Sequence, residues 1–258
     1  MNPAGLAIAL SIGVFVGMAA CLEVGYRVGR RRSEVQPELA FQGIGAIEAS
    51  VFALLGLLLA FILAGSTSRP DARRQLIVQE ANAIGTAYLR LDLLAANQQP
   101  EMRHLFREYL DTRLRVYASL PDLNAADREI ARAAQIQQRI WSQAINARRA
   151  DPTQDVSRVL LPALNEMIDV TTARSIALHT HLPSLIFFLL VSIALLSGFL
   201  AGYAMAERKH RSLLHLFLYA AIVSITIYAV VDLDYPRSGL IRLDVADNAL
   251  IQLRDSIQ

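Results

Sequence analysis

The sequence predicts an all-helical integral membrane protein with four transmembrane helices and a helical soluble domain between the second and third spans. Its 258 residues are 54% hydrophobic, with a mean hydropathy of +0.36. The same chain carries 25 basic and 23 acidic residues. These two facts agree only if the apolar residues are collected in membrane segments and the charges lie elsewhere.

Four uncharged apolar runs are long enough to cross a bilayer. A helix rises about 1.5 Å per residue and the hydrocarbon core is about 30 Å thick, so roughly 17 to 25 residues suffice. In lipid, a single segment can hydrogen-bond all of its own backbone N–H and C=O groups only as a helix. The predicted spans cover about residues 4–25, 47–65, 184–206 and 213–231. They form two transmembrane hairpins, at residues 1–65 and 183–232.

The first apolar run has an alternative interpretation as a cleaved secretory signal. Residues 18–21, Met-Ala-Ala-Cys, loosely resemble a lipoprotein cleavage box. However, the three residues before the run carry no basic side chain, and four arginines follow it between residues 27 and 32. That charge pattern is typical of a retained helix. The single cysteine, Cys21, cannot form an internal disulfide.

The predicted soluble domain covers residues 66–182 and holds 15 of the 25 basic and 13 of the 23 acidic residues. Apolar residues recur there at three- and four-residue spacing, which predicts amphipathic helices. Turn-forming residues at Pro100, Pro121 and Pro152 predict breaks between these helices. A last helix is expected to bend or begin at Pro162. Residues 233–258 are expected to form a tail with a short amphipathic helix.

Short loops indicate orientation, and both short loops here are basic. One contains the four arginines of residues 27–32, and the other contains Arg208, Lys209 and Arg211. The positive-inside tendency would place both loops in the cytoplasm and the soluble domain outside.

The sequence contains no constellation typical of an enzyme, a metal site or a cofactor site. Zinc-type histidine pairs and nucleophile elbows are absent, and residues 43–45, Gly-Ile-Gly, lack the third glycine of a phosphate loop. Asp232 and Asp234 are predicted to form an acidic turn that is exposed to solvent and caps the end of the fourth span. The formal net charge of +2 gives no basic field for nucleic acid. We therefore expect no enzyme activity, no cofactor, no metal and no nucleic-acid partner.

The second span carries the most informative pattern. Leu57, Phe61 and Gly65 follow at four-residue steps and so share one helical face. A collar of hydroxyl and guanidinium groups comes next, opposed only by Asp71: Ser66, Ser68, Arg69, Arg73 and Arg74. Around an axis, copies of this helix would form an apolar constriction gated by wetting, and the collar would concentrate anions. The alternative is an ordinary span whose arginines reach the headgroups.

These residues resemble a known family. Residues 54–61 with the following Asp71-Ala72-Arg73 resemble the second transmembrane helix and neck of bestrophins, and residues 232–239 are similar to their acidic stretch. More specifically, the chain resembles the bacterial bestrophin-like family of unknown function. That narrower resemblance rests on short sequence motifs at residues 65–69, 80–88, 164–167 and 236–242.

The resemblance implies a homopentamer, since bestrophins are homopentameric channels, mostly anion-conducting, with an apolar neck in the second span. It implies a neck at Leu57 and Phe61, with Gly65 where a bulkier residue is usual. The calcium clasp of animal bestrophins has no counterpart here. The resemblance also implies a cytoplasmic soluble domain in the bacterial inner membrane, against the charge of the short loops. The side of the soluble domain therefore stays open.

The leading functional hypothesis is passive conduction of small inorganic ions, with anions favoured, through an oligomeric pore lined by the second span. The expected partners are the lipid bilayer, small ions and further copies of the chain. The alternative is a membrane-anchored interaction or sensing module whose helical domain binds a protein partner.

Overall fold

The structure, a computed structural model, describes residues 3–35, 40–120, 122–150, 156–207, 213–234 and 244–257. Within these ranges every regular element is helical. A short 3₁₀ helix, Arg90–Leu93, follows the second of the α-helices. The α-helices are α1 (Pro3–Val35), α2 (Ile44–Leu89), α3 (Gln99–Ala118), α4 (Leu123–Ala150), α5 (Val156–His179), α6 (Ser184–Met205), α7 (Leu213–Asp234) and α8 (Asp244–Ser256). Among the described residues, four helices are long and apolar enough to cross a membrane, which confirms the predicted fold class.

The chain divides into two compact units. The membrane unit consists of Met1–Arg69 and His181–Ile241, and it contains α1, α6, α7 and the first part of α2. The helical unit consists of Pro70–Thr180 and Arg242–Gln258, and it contains the rest of α2 with α3, α4, α5 and α8. Each unit has its own apolar core.

Helix α1 is longer than the predicted first span. It continues through the arginine-rich residues 27–32 to Val35. Two ion pairs between successive turns favour this extension: Arg27 with Glu23 at 2.8 Å, and Arg30 with Glu34 at 3.6 Å. The first basic segment, residues 27–32, is therefore helical throughout, whereas the second, residues 208–211, lies outside the described residues.

Helix α2 also exceeds its prediction, because it runs unbroken from Ile44 to Leu89 and passes through Pro70. A proline inside a helix removes one backbone donor but does not always end the helix. Gly43, with φ of 77°, directly precedes α2, so residues 43–45 form the start of a helix. The break predicted near Pro100 is confirmed, since α3 begins at Gln99. Pro162 lies within α5, so the helix does not begin there, and the alternative of a bend at Pro162 stays a prediction.

Helices α1 and α6 pack at very short range in the membrane unit. A Cβ atom placed on Gly25 would lie 2.0 Å from the carbonyl oxygen of Phe199, and one placed on Gly202 would lie 2.0 Å from that of Leu22. Neither position has room for a methyl group. Small residues allow this approach in membranes, where helix association depends on van der Waals packing rather than on release of water.

Helix α8, placed by the sequence in a C-terminal tail, packs against α3 in the helical unit. Leu250 is fully buried, and the Arg254 guanidinium donates to the Asp111 carboxylate at 2.5 Å. The core around α3 is rich in aromatic residues, with Tyr88 edge-on to Phe106 at a centroid distance of 5.9 Å.

Gly25→Ala is expected to destabilise the membrane unit by about 1–3 kcal/mol or more, because its methyl group forces two backbones apart. The matched control is Gly13→Ala on the same helix, where a Cβ atom meets nothing within 4 Å. The control should leave stability unchanged or slightly raised, since alanine favours helix. Thermal unfolding in detergent, followed by circular dichroism, measures both. Equal melting temperatures for the two variants would contradict the close packing.

Candidate functional site

The predicted neck residues lie on an uncovered face of α2. Phe61 is 69% exposed and Leu57 is 55% exposed, and nothing lies within 4 Å of a Cβ atom placed on Gly65. Only 11% of the most apolar 18-residue window of α2 is buried, against 22% to 44% in the other three spans. Of the four spans described, α2 is therefore the least covered by the rest of the chain.

A stripe of small residues runs beside the neck residues on the same exposed side of α2. Gly56, Ala60 and Ala64 are spaced four residues apart and are all exposed. A Cβ atom on Gly56 would also meet nothing within 4 Å. Stripes with this spacing let helix backbones approach closely in membranes. The face therefore combines bulky apolar side chains with a surface suited to helix packing.

The predicted collar residues of the membrane unit do not share one face of α2. Within the membrane unit, Ser68 is exposed like Phe61, and its hydroxyl donates to the Gly65 carbonyl at 2.9 Å. Ser66 is fully buried on the opposite side of α2. The Arg69 side chain is only 25% exposed. A helical turn of 3.6 residues separates these positions by about 100° per residue, which explains why neighbours in sequence face different ways.

Arg69 is bound by an acidic residue that the sequence placed in a solvated turn. Its guanidinium donates to the Asp234 carboxylate at 2.6 Å. The Leu182 backbone N–H donates to the same carboxylate at 3.0 Å, and His181 Nδ1 lies 3.5 Å from it. The Asp234 side chain is only 7% exposed. The expectation that only Asp71 opposes the collar is therefore wrong.

The expectation of a solvated acidic turn is also wrong, because Asp232 and Asp234 are both buried at the end of α7. Asp232 accepts a hydrogen bond from the Tyr228 hydroxyl at 3.3 Å. The two carboxylates thus have different partners, although they are two residues apart. Residues 235–239, the remainder of that predicted stretch, lie outside the described residues.

The other two collar arginines belong to the helical unit. Arg73 is buried and donates to the carbonyl oxygens of Ala177 at 3.1 Å and Thr180 at 2.9 Å. It thereby binds carbonyl groups at the end of α5 that lack helical partners. Arg74 is exposed and paired with Asp71 at 3.1 Å. Neither arginine is an isolated positive charge.

The helical unit contains a buried charge cluster that the sequence did not reveal as a site. The Glu80 carboxylate is fully buried and accepts hydrogen bonds from Arg113 and Arg174. The Tyr117 hydroxyl donates to Glu80 at 3.1 Å, and the Arg174 guanidinium lies 3.8 Å from the centre of the Tyr117 ring. Glu80 occupies the same three- and four-residue stripe as Ile77. The sequence did contain one sign of a buried charge, since Glu80 is a carboxylate within a stripe of apolar residues.

The cluster keeps Glu80 ionised. Burial raises the pKa of this carboxyl group, but the charges and hydrogen bonds of Arg113 and Arg174 together outweigh burial, so its pKa lies below the ordinary 4.5. Burial also acts to lower the pKa of Arg113, yet the Glu80 charge holds it above its usual range. One carboxylate between two guanidinium groups leaves a net charge of +1 in the cluster.

A groove of about 510 Å³ opens between α4 and α5 in the helical unit. Ile130 and Ile176 supply apolar walls, and Thr171 and Ser175 supply hydroxyl groups. Behind this wall the Tyr109 hydroxyl lies 2.8 Å from that of Thr171, and burial raises the Tyr109 pKa to about 12. Among the residues that the structure describes, no group of three or more His, Cys, Asp or Glu side chains is placed to hold a metal ion.

A family model described as a bestrophin-like domain matches residues 13–247. That match covers most of the 258 residues. The chain belongs to the bestrophin-like family. Among curated proteins, none matches this bestrophin-like chain in sequence.

Solved structures share the bestrophin-like fold at low sequence identity. A variant of a bacterial bestrophin homologue from Klebsiella pneumoniae is 14% identical, with a TM-score of 0.63, and the match covers 95% of this chain and 98% of the other. A second variant of that homologue is 15% identical, with a TM-score of 0.60 and coverage of 94% and 99%. A further membrane protein is 14% identical, with a TM-score of 0.62 and coverage of 95% and 98%. At such identity the likeness shows the fold alone.

Glu80→Gln is expected to destabilise the helical unit by about 3–5 kcal/mol, because it leaves two guanidinium groups in the core without their carboxylate. Glu166→Gln makes the same change at an exposed position on α5 and should alter stability by less than about 0.5 kcal/mol. Denaturant unfolding in detergent measures both variants. A loss for Glu80→Gln no larger than that of the control would contradict a stabilising role for the cluster.

The contribution of Glu80 is also expected to depend on pH. Because its folded pKa is lowered, its stabilisation is fully present above the ordinary value of 4.5 and is lost as the pH falls through the folded pKa. The melting temperatures of the wild type and Glu80→Gln should therefore differ most above pH 4.5 and converge below it. A difference that stays constant from neutral to strongly acidic pH would exclude an ionised Glu80.

Proposed function

We propose that this bestrophin-like chain assembles with copies of itself, as a pentamer by family resemblance, into a passive pathway for small ions lined by α2. The exposed apolar face of Leu57 and Phe61 carries the proposal. In a ring around an axis, that face would form a constriction narrow and apolar enough to control wetting. A function as a channel and not as an enzyme agrees with the membership of this chain in the bestrophin-like family.

The stripe of small residues beside the neck supports assembly through α2. Gly56, Ala60 and Ala64 would let the same helix of a neighbouring copy approach closely, while Leu57 and Phe61 turn toward the axis. A lipid-facing helix needs no such stripe. Four spans in one chain also agree with a multi-pass protein, and we assign it to the bacterial inner membrane, with the side of the helical unit left open.

The charge of the collar gives this proposal no preference for anions. Arg69 and Arg73 are both engaged in contacts within their own units, and Arg74 is paired with Asp71. The sequence favours anions because it shows these arginines opposed only by Asp71, and because the family it resembles is mostly anion-conducting. The proposed pathway therefore concerns small ions such as sodium and chloride, without an assigned sign.

A second candidate function is a membrane-anchored interaction or sensing module. The groove between α4 and α5 favours it, because its 510 Å³ falls in the range of ligand sites, about 300–1,000 Å³. In this case the spans would only hold the helical unit at the membrane. Monomeric particles that are tight to ions and crosslink in cells to one protein partner would support this function over the channel.

Phe61→Ala is expected to raise the passive ion flux of reconstituted liposomes severalfold, because it widens the apolar constriction. The matched control is Phe188→Ala on α6, since Phe188 is 71% exposed and Phe61 is 69% exposed. The control removes the same side chain from a different span and should leave the flux near that of the wild type. Fluorescent dyes for chloride and sodium, read at equal protein density, measure the flux.

Two outcomes would contradict the proposed function. One is the absence of flux of any small ion through the wild-type protein under varied voltage and pH. The other is an equal change of flux in Phe61→Ala and Phe188→Ala, which would mean that α2 contributes no more to the pathway than α6 does. Particle mass and symmetry in detergent provide an independent check, since a monomer cannot form the ring.

A further inference from the structure

We infer that Asp234 determines the ion selectivity of the proposed pathway, because it neutralises Arg69 at the end of the neck. This inference rests on the proposed function. Sequence reasoning treated Arg69 as an attractor for anions and Asp234 as part of a separate turn. The structure brings their side chains together within the membrane unit.

Arg69 is the cation nearest to the neck on α2. Between Ile44 and Arg69 the helix contains two charged residues, Glu48 near its start and Arg69 at its end. Arg69 follows Phe61 by eight residues, which corresponds to about 12 Å along the helix axis. The screening length is about 10 Å at 0.1 M salt, so an uncompensated charge at this distance still acts on an ion beyond the neck.

The geometry makes Asp234 an effective counter-charge. Arg69 Nη1 and Asp234 Oδ1 are 2.6 Å apart, and the two side chains are 25% and 7% exposed. Charge-assisted hydrogen bonds of this length are strong, and partial burial reduces screening by water. The Leu182 N–H donates to the same carboxylate and fixes it in place. Each copy in a ring would therefore present a neutral pair instead of a positive charge.

The exposed side of the helix next to this pair adds no charge of its own. The hydroxyl groups of Thr67 and Ser68 donate to the carbonyl oxygens of Ala64 and Gly65 at 2.8 and 2.9 Å. Their hydrogen atoms are thus directed back to the helix, and their oxygen atoms are available as acceptors. These two hydroxyl groups therefore give an anion no hydrogen atom in place of the Arg69 guanidinium.

The test compares the chloride-to-sodium permeability ratio of five proteins, reconstituted in planar bilayers under a salt gradient near 0.1 M. They are the wild type, Asp234→Asn, Arg69→Gln, the double variant with both changes, and Asp232→Asn. The pH is held at the same value in all five measurements. Asp232→Asn is the matched control, because it removes an equally buried carboxylate two residues away that is bound to Tyr228.

Asp234→Asn should raise the ratio about threefold or more, because one unpaired positive charge appears in every copy of the ring. Arg69→Gln should lower it, and the double variant should return close to the wild type. That return would not follow from loss of structure, since two destabilising changes do not restore selectivity. Asp232→Asn should shift the ratio by less than half as much as Asp234→Asn.

The inference is overturned if Asp234→Asn shifts the ratio no more than Asp232→Asn does, or if the double variant does not return toward the wild type. Ion flux through all five proteins with unchanged selectivity would leave the proposed function standing and remove only this inference. Absence of flux through the wild type would remove the proposed function itself.

Discussion

Pairing of buried charges is the constraint on which both units of this protein depend. In the helical unit, the buried carboxylate of Glu80 on α2 is held by Arg113 on α3 and Arg174 on α5. In the membrane unit, Asp234 at the end of α7 is held by Arg69 on α2. Each carboxylate receives its counter-charge from a different helix, so the pair forms only when the helices are in place. Removing either partner leaves an unpaired charge in a region of low dielectric constant.

Helix α2 has a different role on each of its faces. Its covered face carries Leu55, Ile62 and Ser66 in the membrane unit. Its open face carries Leu57 and Phe61, whose side chains are largely exposed. Apolar packing of Leu55 and Ile62 and the ion pair of Arg69 with Asp234 hold the helix in position. The second face remains available to lipid, to ions or to other copies. A channel needs both properties in one helix, since a pore lining that is not fixed cannot present a constant surface.

Much of this architecture was predictable, because it depends on local patterns. Apolar runs of about 20 residues define spans, and the turn formers before Pro100 define the start of α3. The face shared by Leu57 and Phe61 follows from helical spacing alone. The predictions were wrong at Asp232 and Asp234, which are buried. These failures share a cause, since a residue's local preference is overridden when a distant segment packs against it or binds it.

The sequence by itself determined the membrane class, the number of spans, the family and the apolar face on α2, because hydropathy and periodicity are properties of neighbouring residues. The tertiary structure alone decided which charges are free. Arg69 and Asp234 are 165 residues apart in the chain, and Glu80 and Arg174 are 94 apart. No local pattern reports such pairs. Whether a charged residue attracts an ion or holds two helices together depends on what folding brings within about 3 Å of it.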